Sequence, residues 1–75
     1  MYKFETESFS VRSKTYYSLI EAMADAEKTC AEVKENVLLW QMPSNQFRRG
    51  AFVFVHWCMY GAFIYTPEGI TFEKG

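Results

Sequence analysis

The chain is expected to fold as a single small α+β domain, a sheet with one amphipathic helix packed on one face. Three observations predict it. Apolar residues recur at helical spacing in one segment, about Leu19–Glu35. The opening residues alternate instead, with Tyr2, Phe4 and Thr6 set against Lys3, Glu5 and Glu7, as in a half-buried strand. Ala51 to Tyr65 then runs fifteen residues without a formal charge, rich in aromatic and β-branched side chains that suit paired strands. That run is shorter than the roughly 20 apolar residues a membrane helix needs. No repeat or linker divides the chain, so residues 1–75 form one domain.

The first strand covers Tyr2–Glu5 and its neighbours. Its apolar phase then changes, because Phe9 and Val11 are odd-numbered, and a bulge near Glu7-Ser8 or a bend between two short strands would reconcile the phases. Arg12 to Thr15 is polar and reads as a loop. Ser18-Leu19-Ile20-Glu21 has the capping-box pattern, in which the serine hydroxyl and the glutamate carboxylate each accept a backbone N–H of the other residue. Leu19, Met23, Ala26, Cys30 and Val33 form the apolar stripe of the helix, and Glu21, Asp25, Lys28, Glu32 and Glu35 the solvated face. Ala26 and Cys30 are small, so this helix can approach a sheet closely.

Val37–Met42 reads as a short strand stopped by Pro43, and Ser44-Asn45-Gln46 as a loop. A further strand spans Ala51–Trp57, a turn lies around Met59-Tyr60-Gly61, and the chain returns through Ala62–Tyr65. Thr66-Pro67-Glu68-Gly69 places proline and glycine where a tight turn wants them and leads to an edge strand at Ile70–Phe72. The expected order is β-α-β-β-β-β, an antiparallel or mixed sheet with one face under the helix.

Composition narrows the function classes. The net charge is −1, with −3 between Leu19 and Glu35 and +2 over the remainder, so neither nucleic acid nor an anionic membrane is implied by charge. Met1-Tyr2-Lys3-Phe4-Glu5 lacks an apolar signal core, and a cytoplasmic location with both thiols reduced is the expectation. His56 and Cys58 share strand spacing, yet no orienting third residue or oxyanion loop accompanies them, so Cys58 is read as a buried small hydrophobe rather than a nucleophile. Cys30, His56 and Cys58 offer at most three ligands without the paired spacing of a zinc site. No catalytic, metal or cofactor site is predicted, and the chain is read as a non-enzyme.

Binding is the better-supported role. One helix cannot easily hide fourteen aromatic side chains, and both faces of the Phe52–Trp57 strand are bulky where the second face of such a sheet should be polar. The expected contact residues are Arg48, Arg49, Phe52, Phe54, His56, Trp57 and Tyr60, facing a protein partner or a second copy of the chain. The alternative is single-stranded nucleic acid stacked on sheet aromatics beside Arg48 and Arg49. Arg48, Ala51, Phe52 and Val53 agree with the RNA-recognition strand motif, but Arg49 and Gly50 depart from it at the glycine and at an essential aromatic.

With its opening strand Tyr2–Glu5, the helix start Ser18-Leu19-Ile20-Glu21-Ala22 and the aromatic hairpins behind it, the chain resembles in size and element order small inhibitor proteins of bacteriophages and mobile elements, anti-CRISPR proteins among them. The resemblance implies a stand-alone, non-enzymatic protein that occludes a surface of a host protein.

Ser18→Ala should lower stability by about 0.5–2 kcal/mol, since it strips a helix N-terminal donor of its partner. The unfolding midpoint in urea measures it, and an unchanged midpoint would place the helix start elsewhere.

Overall fold

A computed structural model describes residues 1–42 and 57–75. The order among them is β1 (Tyr2–Thr6), α1 (Leu19–Val33), β2 (Val37–Gln41), β3 (Cys58–Thr66) and β4 (Gly69–Lys74). The four strands form one antiparallel sheet in the order β1-β2-β3-β4, and α1 lies across one face. This is the α+β class expected. The additional strand expected over Ala51–Trp57 falls on residues outside those described, except Trp57, which immediately precedes β3.

Ser18 caps the helix from extended geometry, its hydroxyl accepting the Glu21 N–H at 3.4 Å. Of the expected capping box, this forward bond is the half that forms among the described residues. At the other end Lys34 adopts φ 57°, and its N–H donates to the Cys30 carbonyl at 2.9 Å. A left-handed residue there satisfies an otherwise orphaned carbonyl and turns the chain toward β2. The buried stripe is Ala22, Ala26 and Cys30, all without solvent exposure, while Leu19 and Met23 pack at its margin. Ala26 and Cys30 stand at the centre of the stripe as the sequence reading placed them; it omitted Ala22 and counted Leu19, Met23 and Val33 with them. Four-residue spacing of small side chains prevailed because it brings the helix axis closest to the sheet.

Against that stripe the sheet presents Phe4 and Thr6 from β1, Val37 and Leu39 from β2, and Phe63 from β3. Tyr16 completes the core, its ring stacked on Phe4 at 5.9 Å between centroids. The polar stretch read as a loop is therefore partly structural. Beyond a turn in which Phe9 stands at φ 62° and is 54% exposed, residues Val11–Tyr16 run back beside β1. Of the two expected devices, the bend forms and the bulge does not: the returning segment pairs with β1 at isolated bridges rather than as a full strand. Thr6 makes the reversal: its carbonyl accepts the Phe9 N–H and its hydroxyl the Val11 N–H.

The turn expected at Met59-Tyr60-Gly61 does not occur. β3 continues through it, and Tyr60 is an extra residue, because Leu39 faces Gly61 while Trp40 faces Met59. Gly61 is present for space. A Cβ there would collide with the Phe72 ring and lie 2.7 Å from the Glu73 carbonyl oxygen. The hairpin turn at Pro67-Glu68 matches expectation, with Gly69 at φ 148° and the Thr66 hydroxyl donating to the Gly69 carbonyl at 2.6 Å. No helix among the described residues is long and apolar enough to cross a membrane.

The two glycines should fail differently when changed. Gly61→Ala forces Phe72 out of place and should cost about 1–3 kcal/mol with an altered near-ultraviolet circular dichroism. Gly69→Ala meets open space, so its cost, about 1–3 kcal/mol, is backbone strain that leaves the aromatic spectrum unchanged. Denaturant titration with both spectra separates the two.

Candidate functional site

Strand alternation assigns every second residue to the face away from α1. Lys3 and Glu5 stand there on β1, Leu38 and Trp40 on β2, Met59, Ala62 and Ile64 on β3, and Thr71 and Glu73 on β4. Register groups them into rows. Lys3, Trp40 and Met59 lie side by side, and Glu5, Leu38, Ala62 and Glu73 form the next row. The centre of this face is thus Leu38, Trp40, Met59 and Ile64, with charges confined to the outer strands. Met59 is 43% exposed; Leu38, Trp40 and Ile64 are half-buried against their neighbours. The indole N–H of Trp40 is shielded from solvent and has no hydrogen-bond acceptor among the described residues.

Of the predicted contact residues, Trp57 joins this face. Its ring lies under the Lys3 ammonium, 4.8 Å from ring centroid to Nζ, and Lys3 belongs to the same row as Trp40. Tyr60 does not join it. The bulge turns Tyr60 toward the helix side, edge-on to Tyr2 at 6.3 Å and tilted against Phe72 at 6.2 Å. Arg48, Arg49, Phe52, Phe54 and His56 lie outside the described residues. Cys58, expected to be buried, is exposed at the first position of β3, whereas Cys30 is fully buried, with its thiol 3.8 Å from the Phe63 carbonyl. Burial, and then the Glu27 carboxylate, pushes the Cys30 thiol up in pKa, which keeps it protonated.

Sequence reading missed Leu38, Trp40, Met59 and Ile64 as surface residues. Each sits in an apolar stretch whose periodicity cannot distinguish the covered face from the open one.

A second concave feature lies where β1, the end of α1 and β3 meet. This cleft, of about 460 Å³, is lined by Glu7, Ser8, Lys34, Glu35, Asn36 and Tyr65. Its polar atoms are largely engaged in holding the fold. Asn36 donates to Glu7 Oε2 at 2.9 Å, accepts the Tyr65 N–H at 2.9 Å, and takes the Glu7 N–H on its own carbonyl. Glu35 accepts from the Ser8 N–H and the Ser10 hydroxyl. Among the described residues the cleft therefore holds two carboxylates with structural partners and no nucleophile–base pair.

Tyr16 is the most perturbed titratable group among the described residues. Its hydroxyl donates to Asp25 Oδ2 at 2.7 Å, tying the segment beside β1 to the helix. Burial first, then the Asp25 hydrogen bond and the charges of Asp25 and Glu21, raise it from 10 to about 12. Each of these disfavours the phenolate. No family, no curated protein and no solved structure matches the chain.

Below pH 10 the Tyr16 hydroxyl is protonated in the folded and unfolded chain alike, and its contribution to stability is intact. Between about pH 10 and 12 the unfolded chain ionises first, so stability should fall across that window. Alkaline titration by tyrosinate absorbance should show a late-ionising component that Tyr16→Phe removes. Asp25→Asn should shift it toward 10.

Proposed function

We propose that this chain is a non-enzymatic protein-binding module that engages its partner with the sheet face opposite α1. One observation carries the reading. An antiparallel sheet covered by a single helix ordinarily turns a polar face to water, yet here Leu38, Trp40, Met59 and Ile64 occupy that face, with Trp57 beside them. Tryptophan and methionine surrounded by charges are the side chains that dominate protein interfaces. Lys3, Glu5, Arg12 and Glu73 supply the rim, where Arg12 already reaches Glu5 at 3.8 Å. Such charges set orientation and association rate more than affinity. An inhibitor that occludes a host protein, as the likeness to phage-encoded proteins implies, would act through such a face.

Leu38→Lys and Ile64→Lys place charges at its centre without touching the Ala22–Ala26–Cys30 contact. Both variants should keep the wild-type far-ultraviolet spectrum and lose partner affinity by tenfold or more, equivalent to at least about 1.4 kcal/mol. Retention of the wild type on the partner should change little with salt. Undiminished capture by both variants would overturn the reading. Recovery of nucleic acid with a steep salt dependence would favour the alternative role.

A further inference from the structure

The two edges of the sheet are finished differently. Along β1 the outward backbone groups are those of Tyr2, Phe4 and Thr6, and all are occupied. Tyr2 exchanges both bonds with Tyr16, Phe4 donates to the Ser13 hydroxyl and accepts the Ser13 N–H, and Thr6 donates to the Val11 carbonyl and accepts from Phe9. Residues 9–16 thus close that edge. The opposite edge is β4. Gly75 donates to the Tyr60 carbonyl at 2.9 Å, so the odd-numbered residues of β4 bond inward to β3. The N–H and C=O groups of Ile70, Phe72 and Lys74 therefore point away from the sheet, and none has a partner among the described residues. The helix meets β4 less than it meets the other strands. An open row of alternating donors and acceptors is a template for another extended strand.

We propose that β4 pairs antiparallel with β4 of a second copy about a two-fold axis through Phe72. The axis is normal to the sheet, giving eight continuous strands with both helices on one side. Symmetry leaves few registers, and the side chains select among them. In the register centred on Phe72, Phe72 faces its counterpart, Ile70 faces Lys74 of the second copy, and Thr71 faces Glu73 of the second copy. Every outward group of Ile70, Phe72 and Lys74 is then bonded. Isoleucine lies beside the lysine stem, whose ammonium stands over the Tyr60 ring of its own chain at 5.5 Å, and the threonine hydroxyl donates to the glutamate. Centring on Glu73 would oppose two like charges. Centring on Thr71 would set Lys74 against the turn at Glu68 and leave its groups unpaired. The interface uses an edge, and it stands independently of the face assigned above to a protein partner.

Thr71 and Glu73 are exposed, so the charge at these two positions can be changed without disturbing the core. In sedimentation equilibrium of the purified chain, the wild type should show a monomer–dimer equilibrium. Thr71→Glu, which opposes two carboxylates at each of two symmetric positions, should raise the dimer Kd by roughly 3- to 10-fold, and Thr71→Lys should lower it by a similar factor. Thr71→Glu combined with Glu73→Lys recreates an opposite-charge pair and should bring the Kd back to the wild-type value or below it. Lys74→Pro removes an outward N–H at a position where an edge strand tolerates proline, and should yield a folded monomer by circular dichroism. Leu38→Lys, on the open face, should leave the dimer intact. A chain that stays monomeric at every concentration, or a dimer indifferent to the charge at 71 and to Lys74→Pro, or one broken by Leu38→Lys, would overturn the proposal.

Discussion

Close approach of α1 to the sheet is the constraint on which the rest of the structure depends. Ala22, Ala26 and Cys30 contribute almost no bulk on the helix side, so the core volume is supplied from the sheet by Phe4, Val37, Leu39 and Phe63. A domain this small has few ways to bury apolar surface, and large-on-small interdigitation reaches the density of a larger core. Its consequence is directional. With Phe4, Val37, Leu39 and Phe63 committed to one face and one helix to cover it, other apolar residues of β2 and β3, Trp40 among them, fall on the other face.

Polar side chains then fasten what the core leaves loose. Asn36 joins the end of β1, the α1–β2 junction and β3 through three hydrogen bonds. Thr6, buried without exposure, uses its backbone and hydroxyl to reverse the chain into the segment that closes the β1 edge. Tyr16 bonds that segment to the helix through Asp25. Bonds of this kind contribute about 1 kcal/mol each, yet leaving a buried partner unsatisfied costs more, so they select one arrangement more than they strengthen it. Among the described residues β4 has no such reinforcement on its outer side, and there the two edges differ.

Local chemistry was readable where one residue type has one use. The serine cap of α1, the helical period behind it, the alternation of β1 and the Pro67–Gly69 turn follow from short-range sterics and hydrogen bonding, and each stands where expected. Gly61 misled because glycine serves two purposes. Turn geometry and close approach of a ring look alike in sequence, and Phe72, eleven residues away, decides between them. Tyr16 escaped notice because its neighbours are polar and its partners, Phe4 and Asp25, come from other elements. For the candidate site, alternation alone could not say whether Phe54 or Trp57 faces the helix, and Tyr60 was displaced by a bulge that reverses the phase of β3.

The sequence by itself determined the α+β class, the single amphipathic helix, its N-terminal cap and an excess of aromatic surface over what one helix can hide. These rest on periodicity and composition, which a chain carries before it folds. The tertiary structure alone decided which residues face outward, which strand edge has no partner among the described residues and where the extra residue in β3 falls. Those depend on register, and register is set by side chains from distant segments competing for the same space.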